Sequence, residues 1–242
     1  MDNHSDDFNP LNSLRFYVTS SHPCGYFPDR SAVTLVFDPD TNPSYEVFSL
    51  LSQIGFRRSG HHVYRPHCGT CQDCIPIRIA VNDFKPNRSQ RRAWNKNSNI
   101  TVNSLPVEYR PEHYELFRRY ITHRHFNGGM DSDNPKSYQQ LLEADWCHTL
   151  LHEFRDGDEL LAVSVTDLLE DGMSAVYTFY DPDKMSYSPG VYAILWHIHE
   201  TQRRGQNYVY LGYWIPESPK MRYKSQYRPF EYFDGRKWQR QP

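Results

Sequence analysis

Cys68, Cys71 and Cys74 stand at three-residue intervals in HCGTCQDCIP, a C-x-x-C-x-x-C run. A tight turn at this spacing aims two or three thiolates at one ion. A sulfur-rich set of this kind suits zinc or an iron–sulfur cluster. Cys24, in SHPCGYF, is a candidate fourth ligand if the fold carries it to the run, and His22 and His67 are spare donors. The alternative is that these cysteines are small, reduced residues of a turn-rich core. Cys147, in DWCHTL, has no partner by spacing and reads as a core residue. Five cysteines make an odd count. The first ten residues, Met1–Pro10, are polar and acidic and lack the basic start and apolar core of a secretory signal. Both features argue against a disulfide framework, and the expected location is the cytoplasm.

A second chemical signal is charge. From Phe84 to Val107 there is no Asp or Glu. Arg88, Arg91, Arg92 and Lys96 fall on roughly one face of a helix that Pro86 would start. This is either a solvated helix face or a phosphate-contacting surface with Trp94 available for stacking. The whole chain has 27 Lys and Arg against 29 Asp and Glu, a net charge of −2. A generally basic nucleic-acid coat is therefore excluded, and any RNA must be held by a local patch. The 18 tyrosines suit half-buried surfaces and grooves, or simply a tyrosine-rich core edge. His123 and His125 are a weak metal signal and read as hydrogen-bonding loop residues.

The elements that must position these groups can be read from periodicity. After a polar lead-in, LRFYVTS is a strand. SAVTLVFDPD alternates and reads as one further strand ended by Asp38-Pro39. Tyr45–Gly55 has a helical period with Gly55 as its stop. FRRSGHHVYRP is a hairpin about Ser59-Gly60, and IPIRIAV is a strand. The polar stretch 98–110 ends at Pro106 and marks a domain boundary, giving domains 1–105 and 106–242. Pro111–His125 and Tyr138–Trp146 are helical. From Thr149, three strands are joined by Asp156-Gly157 and Asp171-Gly172. GVYAILWHIHETQRR, Gly190–Arg204, is an amphipathic helix anchored by Val191, Ile194, Leu195 and Ile198. NYVYLGYWIP is the strand after it. No stretch approaches membrane-spanning length, and no P-loop or G-x-G-x-x-G fingerprint is present, so no nucleotide cofactor and no membrane partner are expected.

Six segments in order, HPCGYFPDR, GFRRSGHHVYRPHCGTCQDCIPIRI, NRSQRR, AVYTFYDPD, YLGYWI and SPKMRYKSQYRP, resemble one family. It is the bacterial aspartate/glutamate leucyltransferases (leucyl-tRNA–protein transferases), relatives of the arginyl-tRNA–protein transferases. The resemblance runs from Leu14 to Phe230. It implies an α+β protein, with an N-terminal cysteine-containing mixed α/β domain and a GNAT-type acyltransferase-like C-terminal domain. It also implies transfer of leucine from leucyl-tRNA to the α-amino group of proteins that begin with Asp or Glu. The product carries a signal for protein degradation, the N-degron. The arginyl relatives, which use the same acceptors, are the alternative donor class. One departure is visible: the eukaryotic relatives carry C-x-x-C where this chain has Cys24-Gly25-Tyr26-Phe27.

Ester aminolysis of this kind is downhill and needs no ATP. The nucleophile is an α-amine with a pKa of about 7.7–8, partly neutral near neutral pH, so direct transfer without a covalent enzyme intermediate suffices. Positioning and oxyanion stabilisation then carry catalysis. Lys220, Tyr223 and Lys224, in the last motif, are the candidate catalytic groups at the tRNA acceptor end. Arg88, Arg91, Arg92 and Lys96 are the candidate tRNA contacts. Arg57, Arg58 and Arg78 are candidates for the acidic first residue, because a guanidinium fork suits a carboxylate. Tyr177, Phe179, Tyr213 and Trp214 are candidates for an apolar aminoacyl pocket. Asp167 and Asp181 are the acids that an arginyl pocket would use. Three rival readings remain open: an RNA-binding module without chemistry, a metal or redox sensor built on Cys24, Cys68, Cys71 and Cys74, and a small-molecule acetyltransferase. The last lacks the expected glycine-rich loop before GVYAILWHIHE.

Overall fold

The computed structural model describes residues 13–124, 134–142 and 144–242. Met1–Pro10 and His125, both read above, lie outside them. Among the described residues no helix is long and apolar enough to cross a membrane.

The chain opens with β1 (Phe16–Val18), a hairpin of β2 (His22–Pro23) and β3 (Ser31–Ala32), and β4 (Thr34–Phe37). The single strand expected over SAVTLVF is therefore two. Its first half pairs with β2, and its second half pairs with β1 in another sheet, so the ladder breaks at Val33. Helix α1 (Tyr45–Gln53) starts where the Ser44 hydroxyl accepts from the Val47 N–H at 3.3 Å. It ends before Gly55, whose φ of +87° a side chain would strain. β5 (Arg57–Ser59) and β6 (His62–Pro66) form the expected hairpin. These strands make a four-stranded sheet in the order β1-β4-β6-β5. Phe37, Phe48, Leu51, Phe56 and Val63 form its core with α1.

β7 (Ile75–Ala80) leaves this sheet for a larger one. Then follow α2 (Arg88–Lys96), β8 (Thr101–Pro106), α3 (Pro111–Arg124), α4 (Pro135–Leu142), β9 (Thr149–Asp156), β10 (Glu159–Leu168) and β11 (Gly172–Tyr180). A 3₁₀ turn at Pro182–Tyr187 leads into α5 (Pro189–Arg203), and β12 (Tyr208–Trp214), β13 (Phe230–Phe233) and β14 (Trp238–Gln241) complete the fold. The large sheet has eight strands in the order β14-β13-β7-β12-β11-β10-β9-β8. Every neighbouring pair is antiparallel except β11 with β12, which α5 joins as a crossover. The protein is thus a mixed α/β fold on one large sheet.

Alternation along β10 tells the two faces apart. Thr166 bonds His197 of α5 at 2.7 Å, while the next residue, Asp167, bonds Arg58 of β5. Successive side chains point to opposite faces, so the small sheet and α5 lie on opposite sides of the large one. Ile194, Leu195 and Ile198 of α5 are buried as anchors and Val191 is partly buried, packed with Ile77, Ile79, Val209 and Leu211. β8 occupies the polar stretch read as a boundary. It is an edge strand whose residues are mostly exposed, so it lacks the alternation of a core strand. The division at 105/106 falls at its end, and the large sheet takes strands from both sides of that point.

Candidate functional site

β11 and β12 are paired only from Gly172–Ser174 to Tyr208–Tyr210. Beyond Ser174 they part. A bulge sits on β11 here, since Val165 faces Tyr177 while Thr166 faces Ala175. Ala175–Thr178 are half-buried, whereas both neighbouring strands are almost wholly buried along their length. The parting is a cleft walled by two strands of the central sheet.

Arg57 fills the apex of this fork. Its Nη1 donates to the Ser174 hydroxyl at 2.9 Å and to the Tyr210 carbonyl at 3.3 Å, and its Nη2 donates to the Ala175 carbonyl at 2.8 Å. The guanidinium thus satisfies carbonyls that the broken ladder leaves open. Burial pushes its pKa below the ordinary arginine value, yet an arginine stays charged. Gly212 of β12 makes the space: φ is +78°, and a Cβ there would lie 3.3 Å from Arg57 Nε. Behind the guanidinium, between Phe56, Pro76, Tyr210 and Trp238, is a crevice of about 10 Å³. That is room for one water at most.

The other two carboxylate candidates are engaged within the chain. Arg58 is wholly enclosed and grips Asp167 with both Nε and Nη2 at 2.8 Å. Arg78 donates to Glu231 at 2.7 Å and lies between the rings of Tyr208 and Trp238, 3.5 and 4.2 Å from their centroids. Asp181 caps the 3₁₀ turn and pairs with Arg119 at 2.7 Å. Both acids open to an arginyl pocket, Asp167 and Asp181, are therefore committed to arginines of the protein itself.

Lys224 lies close to Arg57. Its Nζ donates to the Tyr213 carbonyl at 2.8 Å, and burial, then the charge of Arg57, push its pKa down to about 7. The Tyr213 hydroxyl donates to the carbonyls of Gly55 at 3.0 Å and Tyr64 at 3.2 Å, which ties β12 to the small sheet. Lys220 is exposed on the segment between β12 and β13, where a 3₁₀ turn at Arg222–Gln226 carries Tyr223 and Lys224.

Of the aminoacyl candidates, Tyr177 stands on the cleft wall. Phe179 is fully buried, with Phe117 and Tyr138 at ring distances of 5.6 and 6.0 Å. Trp214 packs edge-on against Phe230 at 5.5 Å. The structure adds residues that no motif singled out. Tyr120 of α3 meets Tyr180 at 4.8 Å and Tyr177 at 6.3 Å, both edge-to-face. Tyr223 approaches the same group and interacts electrostatically with Tyr120, Tyr177, Tyr180 and Arg124. Tyr120 and Arg124 are four apart on α3, a spacing visible in sequence, but nothing in sequence shows that this face meets β11.

Helix α2 brings the basic residues to this region. Asn87 caps it with a reciprocal box: its side chain accepts from the Gln90 N–H at 2.9 Å, and Gln90 Oε1 accepts from the Asn87 N–H at 2.8 Å. Gln90 also donates to the Gln226 carbonyl at 3.2 Å, which docks α2 on the turn that carries Tyr223 and Lys224. Arg88, Arg91 and Arg92 are exposed, and no carboxylate among the described residues pairs with them. Lys96 donates to the Ser186 carbonyl at 2.7 Å, beside the entry to α5. Trp94, read as a stacking ring, is instead packed against Tyr192 and His199 at 5.5 and 5.4 Å.

The four cysteines are brought together: burial, then the negative charge of Cys24, Cys71 and Cys68 in turn, pushes the Cys74 thiol up to about 12. The Tyr26 N–H points to Cys24 Sγ at 3.5 Å and Arg30 to Cys71 Sγ at 3.7 Å. Donors aimed at two of the sulfurs can also bond a metal-held sulfur, whereas Cys74 by itself is held as a thiol. Among the described residues no three or more His, Cys, Asp or Glu are drawn into metal-ligating geometry. His67 is exposed, and His22 bonds the Pro23 carbonyl at 3.2 Å and the Thr34 hydroxyl at 3.4 Å. Cys147 is buried in the small-sheet core, as expected.

Known proteins share this chain almost end to end. Residues 22–92 match the family described as "Arginine-tRNA-protein transferase, N terminus", and residues 112–234 match "Arginine-tRNA-protein transferase, C terminus". A protein of Nitrosococcus oceani named aspartate/glutamate leucyltransferase is 49% identical over 92% of this chain and 94% of its own length. Proteins of the same name from Pseudomonas aeruginosa and Saccharophagus degradans are 48% and 46% identical over 94% of the chain and 97% of their lengths. Among solved structures, FemX covers 84% of this chain and 80% of its own at 9% identity and a TM-score of 0.44. L-PGS from Bacillus licheniformis covers 60% and 48% at 10% identity and a TM-score of 0.43. With both family halves matched in order and near-half identity over nearly the whole chain, the protein belongs to the arginine-tRNA–protein transferase family, among relatives named aspartate/glutamate leucyltransferases.

Proposed function

We propose that this chain transfers leucine from leucyl-tRNA to the free α-amino group of proteins that begin with Asp or Glu, and so creates a degradation signal in the cytoplasm. The observation that carries the reading is the 49% identity over 92% of the chain to a relative of that name. The amine of the acceptor attacks the ester carbonyl of the aminoacyl-tRNA. A C–N bond forms, the bond to the ribose oxygen breaks, and the proton lost by nitrogen ends on the leaving hydroxyl. The C-terminal half is read as a GNAT-type acyltransferase fold, supported by the β11–α5–β12 crossover and the parted strands. The division into residues 1–105 and 106–242 then separates the cysteine and basic stretches from this half.

Within this reading, Arg57 presents the fixed cation for the acidic first residue, from the cleft side. Lys224 lies beside it with a pKa near 7, so at neutral pH its amine can take the proton that the nucleophile loses. Tyr223 and Lys220 line the approach of the acceptor end, and the exposed arginines of α2 hold its phosphates. Leucine rather than arginine fits because Asp167 and Asp181 are already paired. Cys24, Cys68, Cys71 and Cys74 would hold zinc or an iron–sulfur cluster. When bound, that centre would brace the β2–β3 hairpin against the start of β7.

The test is transfer of labelled leucine or arginine from the respective tRNA to peptides that begin with Asp, Glu, Arg or Ala. Leucine on the Asp and Glu peptides alone supports the reading. Arginine on them overturns the leucyl assignment, and no transfer from either tRNA overturns the enzyme. Zinc and iron analysis of the same preparation tests the cysteine centre.

A further inference from the structure

Arg57 has a tyrosine beside it. In the β5–β6 hairpin it stands directly across from Tyr64. Residues opposite each other in an antiparallel pair project to the same face, with Cβ atoms about 4.5–5.5 Å apart. Tyr64 therefore points with Arg57 toward the large sheet. β6 is paired on both flanks at this residue, with Arg57 on one side and Val36 on the other. The Tyr213 hydroxyl donates to the Tyr64 carbonyl at 3.2 Å, and the two rings lie 6.2 Å apart. The ring of Tyr64 thus hangs from a rigid backbone. Tyr26, on the loop between β2 and β3, is 40% exposed and interacts electrostatically with both Tyr64 and Arg57. Arg57 and Tyr64 are themselves half-buried, so solvent reaches the pair beside an exposed ring.

The donors of the pair are partly unspent. The bonds of Arg57 to Ser174, Tyr210 and Ala175 use three of the five N–H groups of a guanidinium. The Tyr64 hydroxyl bonds none of the described residues. Burial pushes its pKa up, so it keeps its proton at neutral pH and donates. A fixed guanidinium and a fixed phenol together suit one carboxylate, with an N–H on one oxygen and the O–H on the other. An Asn amide of the same shape answers this set poorly. Its NH2 group accepts nothing, so one donor is stranded, and the bond to the guanidinium loses its charge assistance.

Resting on the reading of Arg57 as the cation for the acidic first residue, we infer that Tyr64 is a second specificity determinant of that site, its hydroxyl donating to the same carboxylate. Two donors on neighbouring strands fix the direction of the acceptor side chain as well as its charge, and so the direction in which its α-amine is presented. Tyr64 touches the substrate and moves no proton.

The experiment measures leucyl transfer from leucyl-tRNA to an Asp-starting peptide, over a range of peptide concentrations, by wild type, Tyr64→Phe and Arg57→Gln, with the urea midpoint of each. The expected result in Tyr64→Phe is a rise of about tenfold in KM for the peptide, the loss of one hydrogen bond to a charged group. Its kcat, its KM for leucyl-tRNA and its urea midpoint stay at the wild-type level, because the hydroxyl removed holds substrate and not the fold. A peptide KM that stays at the wild-type level in Tyr64→Phe overturns the inference. A rise matched by an equal rise in KM for leucyl-tRNA, or by a lowered midpoint, overturns it too, since the hydroxyl would then be structural. Arg57→Gln reads the cation separately. An unchanged peptide KM in that variant sinks the reading beneath the inference, and a raised one beside an unchanged Tyr64→Phe sinks Tyr64 alone.

Discussion

Arg57, Arg58 and Arg78 share a side-chain type and have three different tasks. Arg58 and Asp167 are both fully enclosed, so removal of one leaves an uncompensated buried charge. Arg58→Ala is expected to destabilise the fold by about 3–5 kcal/mol, read as a lowered urea midpoint. Arg58→Met combined with Asp167→Leu should recover most of that loss, because no charge is then stranded. An Arg58→Ala protein as stable as wild type would show that the pair is not desolvated. Lys224 makes a prediction in pH. With its pKa near 7, the amine is neutral above that value, so kcat/KM should climb through pH 7 on a limb of its own. The acceptor amine, at about 7.7–8, supplies a second limb. Lys224→Met should abolish the first limb and keep the second; a limb near 7 that survives the substitution belongs to some other group.

Helix α2 is the element that turns a charge run into a surface. Its capping box sets where it starts, and Gln90, anchored to the Gln226 carbonyl at 3.2 Å, sets how it is rolled. With that face held down, Arg88, Arg91 and Arg92 point to solvent beside the turn of Tyr223 and Lys224. Each arginine that contacts phosphate releases counterions. Each change to Ala should therefore lower the slope of log affinity against log salt by about 0.7–0.9, measured with charged tRNA. A triple variant with an unchanged slope would move the tRNA surface elsewhere. The cleft makes the same point at strand level. It opens because β11 bulges and because Gly212 lets Arg57 take the place of ladder bonds.

The molecule as a whole carries a pH signature. His152, its ring tilted against Trp196 at 4.5 Å, is pushed down to about 3 by burial, then by His197 and Arg204. His197, bonded to Thr166 and the Ala193 carbonyl, is pushed down to about 4 by burial. Both are neutral when folded, while the unfolded chain takes up protons near pH 6.5. The contribution of these two histidines is therefore complete above pH 6.5 and falls as pH drops from there toward 4 and 3, because the unfolded state binds more protons in that window. Glu200 is held down to about 2 by Arg203, then by Arg204 despite some burial, and it adds to the loss below pH 4.5. Urea midpoints should decline as pH falls from about 6.5 toward 4, and the neutral, buried Lys224 adds a separate rise with pH above 7. A midpoint level down to pH 5 would mean that the histidines are not buried neutral.

Local pattern alone located most elements. The helices at Tyr45–Gln53 and Pro189–Arg203 and the strands after Thr149 follow from period, caps and turn pairs, which depend on neighbours in the chain. The ordered motifs carried the family, because six segments in sequence constrain more than any one. Pattern failed where an element owes its state to distant partners. Edge strand β8 looks like polar linker because only one flank is paired, and SAVTLVF divides because its halves join different sheets. The site divides in the same way. Sequence proposed arginines, tyrosines and a lysine by type. Only the tertiary structure decided that Asp167 binds Arg58 across 109 residues of chain, that Arg57 alone of the three bridges β11 and β12 where they part, and that Tyr120 of α3 meets Tyr177 and Tyr180. The physical reason is that a side chain's role is set by which charge or ring the fold places within a few ångströms, and that distance is not a property of spacing along the chain.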